Sequence, residues 1–369
     1  MFVSKLSLLN FKNYTEAQFE FCDGINCFTG DNGEGKTNLL DAIHYLSFCK
    51  SYFNAVDSQN ISFEAPFFVI QAQVDRPEAE ATDDVYCGQK RNQKKLFKRN
   101  KVEYNRLADH IGLYPLVMVS PADSDLINEG SESRRKFIDT IISQLDRIYL
   151  EDLMNYNKIV FQRNALLKRF AETGRFLKDS IEIWDLQLIE FAGRIYQKRS
   201  RFIFELIPLF QKYYEELSGG REKVDIVYES HLLDTDFAEV LKSALPRDRA
   251  VHYTTVGTHK DDLQFLLRKN LVKKYGSQGQ QKTYLIALKL AQYEYIKNHK
   301  KQAPWLLLDD IHDKLDADRV KALMHLVSGD HFGQIFITDT DPERIAKLFK
   351  SGSIPFKQFH ISNGKIAAV

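Results

Sequence analysis

The chain has 369 residues, 44% hydrophobic and 27% charged, an ordinary balance for a globular chain able to bury a core without disulfides. Lys and Arg number 51 against 50 Asp and Glu, so the formal charge is only +1 and any basic binding face has to be local. The four cysteines, Cys22, Cys27, Cys49 and Cys87, lack CxxC spacing and nearby His pairs, which argues against a zinc site and for a reducing compartment. No apolar run reaches the roughly 18 residues of a membrane span. The N-terminus has no signal-peptide pattern either, so the expectation is a cytoplasmic protein with no membrane partner.

Taken in chain order, residues 2–28 predict short strands: Val3, Leu6, Leu8 and Phe11 roughly alternate, and runs at Ala17–Phe21 and Ile25–Phe28 follow. A Gly-rich turn then opens a helix from about Lys36, with Leu39, Leu40, Ile43 and Leu46 on one face. Residues 60–120 are again strand-like. From Ser133 the period becomes helical through Phe137, Ile141, Leu145, Tyr149, Tyr156 and Val160, breaks at Thr173-Gly174, and resumes through Ile181, Leu188, Ile195 and Phe202. This predicts an antiparallel helical hairpin, packed as a subdomain because its apolar positions are too dense for a narrow coiled-coil seam. After Ser218-Gly219-Gly220 the pattern returns to strands at Val224–Tyr228, followed by a helix from about Gln281 and strands at Trp305–Leu308 and Gln334–Thr338. The expected domains are residues 1–130, a helical arm 131–245, and 246–369.

The strongest chemical signal is Gly30-Asp31-Asn32-Gly33-Glu34-Gly35-Lys36-Thr37, a full G-x-x-x-x-G-K-[ST] match between a strand and a helix. Its glycines let backbone N–H groups cradle phosphate oxygens, and the helix start adds its positive dipole end. Lys36 can reach the β and γ phosphates, and Thr37 is placed to hold Mg²⁺. Its partner is Leu306-Leu307-Leu308-Asp309-Asp310, an apolar strand ending in acids. Asp309 can hold Mg²⁺ through water, and Asp310 can orient the attacking water. A third segment, Ser277-Gln278-Gly279-Gln280-Gln281, precedes a helix and offers a second phosphate site, shared most simply between two chains placed head to tail. Leu217-Ser218-Gly219-Gly220-Arg221 has a similar composition, but a strand follows it, so it predicts only the turn that ends the second arm helix.

The blocks NFKNY (10–14), GDNGEGKTNLLDAI (30–43), SPADSDLINEGSESRRKFID (120–139), GTHKDDL (257–263), SQGQQKT (277–283) and LLLDDIHDKLD (306–316) occur in an order that resembles the RecF family. These are recombination mediators of the SMC-like branch of ABC ATPases. The resemblance implies an α/β fold, an ABC-type (SMC-like) P-loop ATPase head with an inserted α-helical hairpin domain. It further implies an ATP- and Mg²⁺-using, DNA-binding protein of recombinational repair and replication. Such a protein dimerises on ATP, hydrolyses it slowly, and works with RecR and RecO to load RecA at single-strand or gapped DNA. Carried over by position, Gly30, Asn32, Gly33, Gly35, Lys36 and Thr37 match the nucleotide loop, Asp309 and Asp310 the Walker B pair, and Ser277, Gly279 and Gln280 the signature.

Lys12 and Asn13 match a position where relatives carry a basic residue on the ATP phosphates; a solvated strand lysine is the other reading of Lys12. Asp310 stands where most ABC ATPases have Glu, and the shorter side chain fits slow turnover. Lys314 reverses the charge usual in the family's D-loop. Thr338-Asp339-Thr340 lacks a switch histidine, no Q-loop glutamine is evident, and Ser120–Asp123 is the candidate for that place. The residues His259, Lys260, Asp261 and Asp262 match the family without an assigned role. For DNA, Lys90–Lys101 is the most basic stretch, with Lys94, Lys95, Lys98 and Arg99 as candidate phosphate contacts or, equally, one solvated face of a hairpin. Arg134, Arg135, Lys168, Arg169 and Arg175 could extend that surface. The alternative function is the motor subunit of a membrane transporter, which uses the same ATP sandwich. A long helical insertion between P-loop and signature disfavours it.

Overall fold

Alternating burial along the first strands builds one sheet of the first unit. The computed structural model describes residues 1–220, 222–310, 317–327, 329, 331–343 and 355–367. Strands β1 (Phe2–Phe11), β2 (Tyr14–Glu20), β4 (Phe67–Arg76), β5 (Ala81–Lys90), β6 (Leu96–Arg99) and β7 (Val102–Glu103) form an antiparallel sheet in the order β2-β1-β4-β5-β6-β7. Its inner face is Val3, Leu6, Leu8, Phe11, Phe68, Ile70, Val74, Val85 and Phe97, all buried. The imperfect alternation of β1 has a cause: the register shifts between Val3 and Lys5, so one extra residue separates Val3 from Leu6.

A second sheet carries the chemistry. β3 (Ile25–Thr29), β8 (Leu116–Val119), β12 (Trp305–Leu308), β13 (Ile335–Asp339), β14 (Phe356–Ser362) and β15 (Lys365–Ala367) lie in the order β15-β14-β3-β13-β12-β8, parallel except for β15. β3, β8, β12 and β13 are buried along their full length, as parallel strands covered on both faces must be. Helix α1 (Lys36–Phe48) follows β3, α8 (Gln278–Lys300) precedes β12, and α9 (Ala317–Val327) precedes β13.

The chain divides into two compact units. The first holds both six-stranded sheets and comprises Met1–Ser124, Tyr213–Arg221 and Gln278–Val369. The second comprises Asp125–Lys212 and Glu222–Ser277. It contains α2 (Asp125–Asn128), α3 (Ser131–Leu145), α4 (Arg147–Thr173), most of α5 (Lys178–Ser218), β9 (Val224–Glu229), α6 (Phe237–Val251), β10 (Asp262–Leu267), β11 (Asn270–Leu271) and α7 (Val272–Tyr275). The boundary placed at 245 by sequence falls inside α6, and β9 and β10, which it separates, are hydrogen-bonded neighbours in one small sheet of order β11-β10-β9. The second unit therefore extends to Ser277.

The expected first arm helix is two helices. Asp146 ends α3 and caps α4, its carboxylate accepting from the Tyr149 amide at 3.0 Å. The turn after Thr173 is closed by Gly174 in the left-handed region (φ 66°). α5 ends at Ser218, followed by Gly219 and Gly220 with positive φ and then β9, which agrees with a turn rather than a signature at 217–220.

Candidate nucleotide site

The nucleotide loop is built by close approach. Gly30 leaves β3 at φ 145°, and a Cβ there would lie 2.2 Å from the Ile361 carbonyl oxygen of the adjacent β14. Gly35 precedes α1 at φ 113°, and a Cβ there would meet the Asn13 amide at 2.5 Å. Only glycine satisfies both the dihedral and the space. α1 begins with no side-chain cap, so its first-turn N–H groups are available to an anion. Asn32 and Gly33 form the exposed crest of the loop.

Two turns hold the loop from below. Asn13 Nδ2 donates to the Glu34 carbonyl at 2.9 Å and its Oδ1 accepts from Asn38 at 2.8 Å, while Tyr14 donates to the Gly35 carbonyl at 3.0 Å. From the β14–β15 turn, the Gly364 amide donates to the Glu34 carbonyl at 3.1 Å and the Asn363 amide to the Glu34 carboxylate. Asn13 thus braces the loop's backbone. Tyr14, Asn363 and Gly364 were not legible as site residues, because their contacts are made by backbone turns with no chemical motif.

Lys36 is buried, with Nζ donating to the loop's own carbonyls at Gly30 (2.5 Å) and Asp31 (2.7 Å). Thr37 Oγ1 donates to Asp309 Oδ1 at 2.9 Å, which brings the P-loop and Walker B motifs together. Thr338 Oγ1 donates to the same Asp309 oxygen at 2.9 Å and accepts from the Asp310 amide at 2.9 Å. Burial raises the Asp309 carboxyl above its ordinary value, against the two threonine hydroxyls, which lower it. A hydroxyl and a carboxylate meeting beside a phosphate cradle are hard oxygen donors of the kind Mg²⁺ takes, so Thr37 and Asp309 fit that ion. Asp310 lies in the left-handed region at φ 53°.

Lys12 is placed otherwise than on solvent. Its Nζ lies 2.6 Å from the wholly buried Asp41 carboxylate, over the Phe53 ring at 5.3 Å. Asp41 also accepts from Ser51 Oγ at 2.6 Å and the Tyr52 amide at 2.7 Å. The solvated-lysine reading is therefore wrong: Lys12 is the counter-ion of a carboxylate on α1. Ser120–Asp123 follows β8, and Asp123 is a buried acid paired with Lys289 of α8 at 2.6 Å and bonded by Tyr52 at 2.5 Å.

At the signature, Ser277 directly precedes α8, Gly279 and Gln280 lie in its first turn, and Arg319 of α9 donates to the Gly279 carbonyl at 2.6 Å. The D-loop, including Lys314, lies outside the described residues. Among the DNA candidates, Lys95 pairs with Asp57 of the Asp57–Asn60 turn at 2.7 Å, and Arg99 of β6 pairs with Asp83 of β5 at 3.1 Å, so both are engaged in ion pairs within the first unit. Lys94 stands exposed and Lys98 half-buried. Arg134 forms a two-pronged pair with Asp262 (2.6 and 3.0 Å), and Arg135 donates to the Asp261 carbonyl at 2.7 Å. These two serve the fold of the second unit, whereas Lys168, Arg169 and Arg175 are exposed.

Within residues 257–263 two side chains are held by buried contacts. Asp261 pairs with the buried Arg199 at 2.7 Å, and His259 sits between the Tyr156 hydroxyl (2.7 Å) and the Thr254 carbonyl (3.0 Å).

The family model for the RecF/RecN/SMC N-terminal domain matches residues 2–360. The chain belongs to the RecF family. A curated relative from Flavobacterium johnsoniae, named DNA replication and repair protein RecF, is 49% identical over 98% of this chain and 100% of its own length. Another of the same name from Phocaeicola vulgatus is 50% identical over 99% and 98%. Among solved structures, one described as the recombination mediator protein RecF with ATP in the RecFOR pathway has TM-score 0.90 and 30% identity, covering 100% of this chain and 97% of that one. An Smc head domain from Pyrococcus furiosus has TM-score 0.59 and 17% identity, a likeness of fold. RecF membership places the chain among the ABC-type ATPases, and a weak ATPase is consistent with it. The transporter alternative is not favoured by any of these relatives. No helix among the described residues is long and apolar enough to cross a membrane.

Proposed function

We propose that this chain binds ATP with Mg²⁺, closes head to tail with a second copy around it, and acts on DNA in recombinational repair and replication, with slow hydrolysis reopening the dimer. In this reading it works in the cytoplasm on gapped duplex and single-stranded DNA, with RecR and RecO, to promote RecA loading. The observation that carries it is the convergence of Lys36, Thr37 and Asp309 at the mouth of one parallel sheet. The names of the relatives supply the DNA repair setting, and the ATP-bound relative supplies the ligand.

The residues divide the labour. Lys36 rests on two loop carbonyls and is the cation positioned to turn onto a phosphate. Thr37 and Asp309 would hold Mg²⁺, which when bound neutralises phosphate charge. Asp310 orients the attacking water. Ser277, Gly279 and Gln280 at the start of α8 cap the nucleotide of the facing copy, with the helix dipole behind them. ATP that binds mainly the closed dimer shifts association by that difference in affinity.

Sedimentation with ATP, ADP and no nucleotide, combined with DNA binding, tests this reading. ATP should raise the dimer fraction of the wild type, Lys36→Met should stay monomeric, and Ser277→Arg should bind ATP as a monomer without dimerising. Equal dimer fractions with and without ATP would refute it, and loss of ATP binding by Ser277→Arg would refute the two-chain assignment.

A further inference from the structure

Thr338 opens the segment that lacks a switch histidine, yet it touches both Walker B acids. It is the fourth residue of β13, at a position where its place is dictated twice. Ile337 pairs with Leu308 on the β12 side, and Thr338 itself pairs with Phe28 of β3 on the other. The side chain is 1% exposed. Its one proton goes to Asp309 Oδ1 at 2.9 Å, and its oxygen accepts the Asp310 amide at 2.9 Å.

The second bond matters because of where Asp310 stands. At φ 53° Asp310 is in the left-handed region, which Asp enters more readily than most residues but still at a cost, so a bond to its amide there helps to hold it. The bond from the Asp310 amide to a hydroxyl on a rigid, doubly paired strand is such a hold. Release of that amide lets the Asp310 backbone relax towards ordinary dihedrals, which swings its carboxylate away. Thr37 also donates to Asp309, but it is the hydroxyl that a Mg²⁺ ion would claim, and it lies on the loop side of the site. Thr338 is the donor that belongs to the sheet.

We propose that Thr338 is a positioning residue for ATP hydrolysis: one hydroxyl fixes the Asp309 carboxylate and pins Asp310 in its left-handed conformation, so that Asp310 addresses the attacking water. In this chain the end of β13 thus orients the catalytic acids from the side without itself meeting the nucleotide. The inference rests on the ATPase reading of the site and is independent of dimerisation.

The experiment uses the full chain with four substitutions: Thr338→Val, Thr338→Ser, Asp310→Asn, and Thr338→Val combined with Asp310→Asn. Turnover and ATP affinity are measured for each, together with amide hydrogen exchange at Asp310 in the nucleotide-free protein. Thr338→Val should lower turnover about 10- to 100-fold, the size of effect that follows a misplacement of about 1 Å. Its ATP affinity should stay within about threefold, because Thr37 still holds Asp309 and only the reaction step uses Asp310. Asp310 amide protection should fall in the same variant, and Thr338→Ser should restore both readings. In the Asp310→Asn background Thr338→Val should cost clearly less than in the wild type, since the part of its effect that runs through Asp310 is already gone and only the Asp309 contact remains to lose. If Thr338→Val distorts the strand, Thr338→Ala is the second hydroxyl-free variant. Unchanged turnover, an equal loss in the Asp310→Asn background, a parallel fall in ATP affinity, or no rescue by serine would each overturn the proposal. A wild type that hydrolyses ATP without dimerising on it would sink the clamp reading and leave this one standing.

Discussion

Lys12 and Asn13 are neighbours in the sequence with quite different tasks. The residues alone left Lys12 open between a phosphate contact and a solvent-facing lysine, because its partner, Asp41, is a single acid on a helix read only for its apolar face. In the structure the pair is almost dry, with Lys12 side-chain exposure of 10% and Asp41 of 0%. A buried ion pair adds little over an apolar pair, but removal of one member strands the other charge. Lys12→Ala is therefore expected to destabilise the first unit by about 3–5 kcal/mol. Lys12→Ala combined with Asp41→Ala should recover part of that loss, and urea titration of the two variants reads the difference. A single mutant within about 0.5 kcal/mol of wild type, the usual range for surface sites, would show the pair to be idle. The P-loop residues were legible because their spacing is itself the chemistry. The bracing contacts of Asn13, Tyr14 and Thr338 were not, because a bracing hydrogen bond leaves no pattern in sequence.

Strands and helices were readable from period, and their joints were not. The break at Asp146 went unseen because Ile142 and Tyr149 stay on one buried face across it, so a one-residue interruption keeps the phase. The same limit hid the meaning of 257–263, whose partners come from other elements. Arg199 of α5 is 2% exposed and gathers Asp139 (2.9 Å), Asp261 (2.7 Å) and the Thr258 carbonyl (2.8 Å), with Tyr149 and Tyr228 around it. Arg199→Ala should leave two acids without their counter-ion and lower the stability of the second unit by about 3–5 kcal/mol. Arg194→Ala, whose partly exposed pair with Asp152 is screened by water, should cost about 1 kcal/mol or less. Chemical denaturation of both variants, followed by a probe in α4 or α5, separates these cases. Equal losses would mean that burial of Arg199 does not set its importance.

On the scale of the molecule, a formal charge of +1 hides how the titrating groups are arranged. His44 and His110 are held at about 4 by burial, against 6.5 for a free imidazole. Between those values the unfolded chain takes up protons that the folded chain refuses, so stability falls as pH drops from about 6.5 to 4. The slope is up to about 1.4 kcal/mol per pH unit for each histidine, with the raised Asp309 carboxyl working the other way at the acid end. Urea midpoints at pH 7, 6 and 5 should decline in that order, and a flat series would contradict the burial of these rings. The α/β class and the helical insertion were legible from the chain as a whole, whereas the second boundary was not, since β9 and β10 pair across the place where the cut was put. The order of the parallel sheet also has a consequence for biosynthesis. β3, which carries the P-loop, is flanked by β13 and β14, both near the C-terminus, and Gly30 packs against Ile361. A ribosome therefore releases the phosphate cradle long before the strands that shape it exist, and until the last turn emerges the nascent chain has a motif for ATP but no socket.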